Sequence, residues 1–453
     1  YTNRVVMSLM YQGLFAVDSK NNTTPILCSQ YQVTPDNRTW TIYLEPNATF
    51  SDGTRVTVQD VVASYEQARQ NVYYKGRFTH IARVELSSDG GVDFFLDTPY
   101  QNLALLLDIP IVKASEVTVD NPLGTGPYSL EDGIGGKHLQ RVVNWWCSSE
   151  DLVAKDSSIA LVEAESPSQI RDEFEFSGLS VVCTNPQTDS YADYRCDFEL
   201  WEVDSGFMMY IGCNVTYSKF FDDGTLRTFL TYGIDRQTLV DDNYGGLALP
   251  TTLPISPMSP YYSKSLATNY DYDEMRFIDA ASKFRVPTND KGVPRTLQLL
   301  VNSDDSARLR CARNIAATLT ELGLACETVE SPTSVYEARL QAANYDIYLG
   351  ITKLPTTADL SEFYRPWGEM SWGGLANETI YNMVNQSLAD RGNYYNLHKL
   401  VADDGRIIPV MAGYYAIYAK RGVLSDLNPA RDNVFYYTLG KTMESSKVAT
   451  QFS

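Results

Sequence analysis

Residues 296–350 carry the pattern that most narrows what this chain can fold into. Thr296 to Val301 reads as a strand, and Ser306 then starts a helix with Leu309, Ala312, Ile315, Ala316, Leu319 and Leu322 on one face. Gly323 stands where a glycine in the left-handed region ends such a helix. Leu324 to Val329 returns as a strand, a second helix spans about Ser334 to Ala343, and Tyr345 to Gly350 is again a strand. Strand–helix–strand–helix–strand with short connections forces parallel pairing and right-handed crossovers, so the chain is α/β. The first half interleaves the same two periods less regularly. There Trp40, Ile42 and Leu44 alternate as one face of a strand, Ser51-Asp52-Gly53 makes an aspartyl turn, and Thr57 with Asp60 caps a helix. In that helix Val58, Val61, Val62 and Tyr65 recur at helical spacing.

Length and charge limit the function classes. A chain of 453 residues suggests two or three domains. A net charge of −19 argues against a nucleic-acid or anionic-membrane partner, because either needs clustered Lys and Arg. The longest apolar run, Ile407 to Ala419, is about 13 residues and contains Pro409 and Gly413, short of the roughly 20 that span a bilayer. The sequence opens at Tyr1 and reads as a mature or trimmed chain. Cys28, Cys147, Cys183, Cys196, Cys213, Cys311 and Cys326 are odd in number and contain no CxxC. They are read as scattered buried thiols, with a Cys183–Cys196 bridge as the alternative.

Catalytic signatures are missing. His80, His138 and His398 have no metal-like spacing, and there is no GxSxG elbow. Gly124-Thr-Gly126-Pro127 lacks the Lys-Ser/Thr of a phosphate loop and reads as a tight turn between domains. Asp222-Asp223 and Asp403-Asp404 sit in turn-like contexts, so a glycoside hydrolase is the enzyme alternative and a weak one. Asp235-Arg236 reads as a local ion pair at the end of a helix over Leu226 to Val240. No enzyme activity and no cofactor or metal site are expected.

The run from Trp40 to Ser64, W-x-I-x-L-x-x-x-x-x-F-S-D-G-T-x-V-T-x-x-D-V-x-x-S, resembles the signature of the family 5 extracellular solute-binding proteins, the oligopeptide- and dipeptide-type receptors of ABC importers. Further landmarks resemble the family in order: Y-Q-G-L-F at Tyr11 to Phe15, G-T-G-P-Y at Gly124 to Tyr128, Leu226 to Val240, Leu247 to Pro257, Tyr345-Asp-Ile347 and Ile407 to Val410. The resemblance implies a type II periplasmic-binding-protein-like fold with two lobes and an inserted domain. Lobe I would comprise residues 1–27, 122–248 and 423–453, the inserted domain 28–121, and lobe II 249–422, with crossings near Leu249 and Gly422. It also implies an exported, periplasmic or lipid-anchored protein, a monomer that closes on a ligand and hands it to permease subunits. Contact with the membrane would run only through a removed or trimmed N-terminal anchor.

Peptide is the default ligand by that resemblance, with oligosaccharide as the alternative and a nickel complex a distant third because histidine is scarce. The candidate ligand contacts are Tyr210, Thr251 and Thr252, Lys353, and Trp367 and Trp372 in the run Arg365 to Gly374. For Tyr210 and the tryptophans, burial in a core accounts for the residue type equally well. In peptide-binding members an Asp in a W-x-x-D-Y context follows the Y-D-I strand and holds the ligand's ammonium. Here Gly350 to Asp359 has no Trp, its Asp comes late, and Lys353 stands near the anchor position. A lysine there repels an ammonium and favours an anionic group.

Overall fold

The computed structural model describes residues 2–133, 136–147, 157–164, 166–176, 178–186, 194–424, 427, 429–432 and 447–450. The chain divides into two compact units: Tyr1–Asp204 with Pro355–Thr357 and Tyr414–Ser453, and Ser205–Leu354 with Ala358–Gly413.

In the first unit, helix α1 (Thr2–Met10) precedes a four-stranded sheet. That sheet is built from β1 (Cys28–Val33), β2 (Thr39–Leu44), β3 (Ile81–Leu86) and β4 (Val92–Leu96), in the order β1-β2-β4-β3 and antiparallel throughout. The alternation read from the sequence is real, since Trp40 and Ile42 point inward from β2, and Trp40 stacks on Tyr31 with ring centroids 5.2 Å apart. Helix α2 (Val58–Gln70) covers this sheet and starts on a full capping box. The Thr57 side chain accepts from the Asp60 N–H, and Asp60 Oδ2 accepts from the Thr57 N–H at 2.8 Å, so two end donors are satisfied reciprocally. Asp52 accepts from the Thr54 N–H at 2.9 Å and from Lys113 Nζ at 2.7 Å, and closes the turn at Gly53. It is an architectural residue.

A second sheet in this unit begins with the hairpin β5 (Tyr128–Gly133) and β6 (Gly136–Arg141), then β7 (Ser158–Glu163), α3 (Pro167–Phe176) and β8 (Leu179–Thr184). The glycines of Gly124-Thr-Gly126 serve close packing inside the first unit. A Cβ on Gly124 would lie 2.1 Å from the Met10 carbonyl oxygen, and one on Gly126 2.4 Å from that of Leu9. The Gly126 N–H donates to Met10 O at 2.8 Å, so only glycine lets this strand of chain lie against the end of α1.

The second unit takes up the last residues of β9 (Phe198–Cys213). Its next helix departs from the expected continuous one. Leu226 to Val240 is broken into α4 (Thr225–Phe229), a 3-10 turn at Leu230–Gly233, and α5 (Arg236–Tyr244). Gly233 sits so close to Phe277, 2.6 Å from a would-be Cβ, that any other residue would be excluded. Asp235 then caps α5 by accepting from the Thr238 N–H. The β-α-β-α-β unit forms as read: β10 (Leu297–Asn302), α6 (Ser306–Glu321), β11 (Cys326–Ser331), α7 (Thr333–Gln341) and β12 (Ile347–Lys353). The order is β11-β10-β12, all parallel, and β9 then adds antiparallel to β12. Met209, Ile211, Leu299 and Leu349 from the strands pack against Ile315 and Leu319 of α6 in one core. Helix α8 (Tyr394–Asp404) leads into β13 (Ile407–Lys420).

The chain leaves the second unit along β13, whose Ala416–Ala419 pair with Val181–Thr184 of β8 in the first unit's sheet. β14 (Lys447–Thr450) pairs in parallel with both β7 and β8. The chain passes between the compact units at 204/205 and 413/414, inside the long strands β9 and β13, and again on either side of Pro355–Thr357. The Gly- and Pro-spaced segment after α5 lies within the second unit, where Leu249 and Pro250 pair with Ala412 and Met411. Turn residues mark a turn there, whereas Asp204-Ser205-Gly206, with Gly206 at a φ of 75°, and Gly413 stand where a strand continues through each boundary. Among the described residues no helix is long and apolar enough to cross a membrane.

The seven cysteines, Cys183 and Cys196 included, form no disulfide. Burial pushes Cys28, Cys183, Cys311 and Cys326 up to about 12 and raises Cys213 too. Iodoacetamide at pH 8 is therefore expected to label only Cys147 and Cys196 in the native protein, with the other five reacting after denaturation. Peptide mapping of the alkylated chain checks this; native labelling of Cys213 or Cys311 would contradict the packing.

Candidate functional site

The sequence-predicted ligand residues all lie in the second unit, and the structure sorts them sharply. Tyr210, on β9, faces Gly350 across the β9–β12 ladder and is 2 % exposed. Its ring meets Tyr348 and Phe363 edge-on at 5.7 and 5.0 Å, and the Tyr348 and Tyr210 hydroxyls hydrogen-bond at 3.2 Å. Burial raises its phenol above the ordinary range. This is a core position: the glycine opposite leaves room for the ring, since a Cβ on Gly350 would come within 2.7 Å of it.

Thr251 and Thr252 are buried as well. The Thr251 hydroxyl donates to Leu253 O at 2.9 Å and reaches Ile255 O at 3.2 Å, while the Thr252 hydroxyl donates to Ala267 O at 2.9 Å. Both hydroxyls are used to fold the proline-spaced segment around Leu253, Ile255 and Leu266. Asp359, the late acid of the Gly350–Asp359 stretch, is buried and accepts from the Ser361 N–H at 2.8 Å. Its carboxylate stabilises a turn.

The remaining candidates are accessible. Lys353 is the exposed last residue of β12. The loop after it is tied back to it, because the Thr352 hydroxyl contacts Met370 Sδ at 3.3 Å. Trp367 is 97 % exposed and adopts a positive φ of 63°, a conformation a bulky residue takes only when its surroundings impose it. Glu362 is what imposes it. Its carboxylate holds Arg365 at 2.6 Å and accepts from the Glu369 N–H at 2.8 Å, and its carbonyl accepts from the Met370 N–H at 3.1 Å. Trp372 is half-buried in the following 3-10 turn. The structure thus brings Lys353 and the Trp367–Trp372 loop to one end of β12 and separates them from Tyr210, Thr251 and Thr252, which are framework.

Two features were missed from sequence. One is Arg308, in the first turn of α6 and only 6 % exposed. It sits at the carboxyl ends of the parallel strands, the edge where α/β sheets bind ligands. An arginine in the first turn of a helix runs against the helix dipole, and that was the available signal. The other is a cavity of about 50 Å³ in the first unit, with a mostly apolar wall that includes Met7, Phe15 and Ile26 and with Arg4, Asp108 and Asp432 at its charged side. Beside it Arg77 pairs with Asp108, and its Nη2 lies 2.8 Å from Asp432. Burial pushes the Asp108 carboxyl up to about 6, with Arg77 pulling against it. Arg4 lies 3.8 Å above the Tyr73 ring and donates to the Tyr415 hydroxyl at 2.8 Å, and Arg431 donates to Asp204 at 2.7 Å. The cations and anions of this cluster answer one another, so it reads as framework. Its residues are scattered over the sequence, which hid it. Among the described residues no group of three His, Cys, Asp or Glu could hold a metal ion.

Comparison with known proteins follows the same lines. The model of the bacterial extracellular solute-binding proteins, family 5, middle region, matches residues 22–374. The glutathione-binding protein GsiB of Escherichia coli O6:K15:H31 is 24 % identical over 291 residues, covering 59 % of this chain and 55 % of GsiB. The match therefore spans about half the length of that relative. A putative peptide-binding protein AppA from Clostridium difficile superimposes with a TM-score of 0.77 at 16 % identity, over 97 % of this chain and 95 % of its own. NikZ from Campylobacter jejuni, solved with Ni(L-His), superimposes with a TM-score of 0.66 at 16 % identity, over 95 % and 93 %. At such identities the superpositions speak for the fold.

Proposed function

Since this chain belongs to the bacterial extracellular solute-binding proteins of family 5, we propose that it is the receptor of an ABC importer. It captures a small solute outside the cytoplasm and passes it to the permease without transforming it. The observation that carries the reading is the family match over residues 22–374, which includes the Lys353 end of β12 and the Trp367 loop. Peptide is the ligand class, supported by the relatives named for glutathione and peptide binding. Residues 28–121, with their own four-stranded sheet, are read as the inserted domain, and the protein as an exported monomer.

A thermal-shift screen against glutathione, di- and tripeptides, longer peptides, oligosaccharides and Ni(L-His) tests it. A ligand at 100 times its Kd adds about 2.7 kcal/mol, which raises the melting temperature on the order of 5 °C or more. The expected result is a shift with peptides. A shift with oligosaccharides or Ni(L-His) alone replaces the ligand class, and turnover of any of these compounds overturns the receptor reading. Lys353 is read as facing the ligand's anionic end. The K353A variant should lose several-fold in affinity for an acidic peptide, and unchanged affinity by titration calorimetry removes Lys353 from the site.

A further inference from the structure

We propose that Pro355–Thr357 is a releasable strap, held in the first unit by the hydroxyl of Tyr100, and that its release is a step in solute exchange. The proposal rests on the solute-binding reading above, because a receptor that captures a solute must also let it go. The strap is an excursion of the chain. Leu354 before it and Ala358 after it belong to the second unit, while these three residues belong to the first. The Tyr100 hydroxyl donates to Thr357 Oγ1 at 2.8 Å, and the two residues are 1 % and 0 % exposed. Tyr100 is itself fixed in the first unit. Its N–H donates to Asn37 O at 3.1 Å, and its ring lies 6.0 Å from that of His80, whose Nδ1 meets Asp97 Oδ1 at 2.8 Å.

Both ends of the strap are fastened in the second unit. The Leu354 N–H donates to Gly206 O at 2.9 Å, which ties it to β9. Ala358 is buried with Leu253, Ile255, Leu266 and Tyr270. Thr357 and Ala358 are therefore adjacent in sequence yet assigned to different units, and Ala358 makes the turn at a φ of 50°. A buried alanine takes that left-handed conformation only when the structure on both sides holds it there. Pro355 stiffens the segment, since its ring fixes its own φ and keeps Leu354 extended, so little freedom is lost when the strap docks. The fastening in the middle is suited to release. A hydrogen bond between two neutral hydroxyls nets little over water once both reach solvent, yet breaking it inside a dry site leaves both unmet. The strap is thus either docked or out, and relief of the turn at Ala358 offsets part of the cost of leaving.

Hydrogen–deuterium exchange of Y100F, T357V and the double variant tests this. Each single variant keeps the shape of its side chain and removes one hydroxyl of the pair. In the solute-free protein the amides of residues 356–358 should exchange about 3- to 10-fold faster in either single variant, the scale of one hydrogen bond. The double variant should exchange no faster, because both substitutions remove the same bond. Exchange in α2 and α6 should stay at the wild-type rate. The solute arm uses glutathione, trialanine and Ni(L-His) as probes and follows the tightest binder of the three. Its dissociation rate by stopped-flow fluorescence should rise at least about 3-fold in Y100F and in T357V. An unchanged exchange rate at the strap overturns the proposal. So does a rise shared by α2, which makes Tyr100 a framework residue of the first unit. Faster exchange at the strap with an unchanged dissociation rate overturns the role in solute exchange and leaves solute binding intact. If none of the probes binds the wild type, the solute-binding reading fails for these compounds and the role in exchange falls with it; the amide rates still decide whether the hydroxyl pair holds the strap.

Discussion

Replacing Arg236 with methionine is expected to lower the stability of the second unit by about 3–5 kcal/mol, the scale on which buried, hydrogen-bonded charges are lost. The guanidinium is 4 % exposed and binds backbone and hydroxyl oxygens in place of a carboxylate. Nε donates to Pro409 O at 2.8 Å, Nη1 to Thr231 O and Ile234 O at 3.2 Å each, and Nη2 to Thr231 Oγ1 at 2.8 Å. These bonds fasten the turn where the helix breaks to the start of β13. Methionine fills much of the space but removes the donors that Pro409 O, Thr231 O, Ile234 O and Thr231 Oγ1 share, and Thr231 O keeps only the long bond from the Ile234 N–H at 3.4 Å. R236K is expected to fare little better, because a single ammonium cannot reach acceptors on both sides of the turn. Burial brings the guanidinium down to about 10, with Asp271, Tyr262 and Asp235 opposing, so it stays charged at neutral pH. Differential scanning calorimetry should show the melting temperature fall on the order of 10 °C for R236M. A fall of less than about 2 °C for R236K would mean that the fork geometry is not what holds the turn.

Arg236 also shows where sequence reading stops. The pair Asp235-Arg236 suggests a local ion pair, but the two side chains part company: Asp235 caps α5 through the Thr238 N–H and hydroxyl, while Arg236 turns inward. A local motif records neighbours in sequence, and Arg236's partner Pro409 is 173 residues away. The elements that were legible have causes within a few residues. The capping box at Thr57, the alternation at Trp40 and Ile42, and the face of α6 with Gly323 after it are examples. The unit boundaries were not legible, because β9 and β13 run through them as continuous strands, although Asp204-Ser205-Gly206 and Gly413 stand there. The candidate site was legible in part. Residue type pointed to Lys353 and the tryptophan loop, and also to Tyr210, Thr251 and Thr252. What separates the groups is burial and hydrogen bonding, which depend on Gly350, Phe363, Leu253 and Ala267 being brought beside them by the fold. Arg308 was passed over because a lone arginine in a helix looks like a solvated charge until its burial is known.

Acid is expected to destabilise this protein through His398 at a pH above the ordinary carboxylate range. His398, on α8, is fully buried, neither ring nitrogen has a hydrogen-bond partner, and Tyr394 lies 5.7 Å away. Burial depresses its pKa from 6.5 to about 4, so the folded protein keeps the ring neutral. The unfolded chain protonates near 6.5. Between those values the unfolded state holds more protons, so stability rises with pH across the window. The contribution is complete above pH 6.5 and is lost as pH falls towards 4. The loss amounts to about 2 kcal/mol by pH 5 and approaches about 3 kcal/mol lower down. Asp108 in the first unit works in the opposite direction, because its carboxyl is raised to about 6 and the folded state gains by protonating it. The difference between wild type and H398L isolates the histidine from that background. H398L removes the titrating group and the unmet ring nitrogens while keeping an apolar side chain of similar bulk in an apolar site. Urea titrations at pH 7.5 and pH 5.0 should show the wild type losing about 2 kcal/mol more than H398L between the two. Equal losses in the two proteins would place a proton acceptor or a water beside the ring.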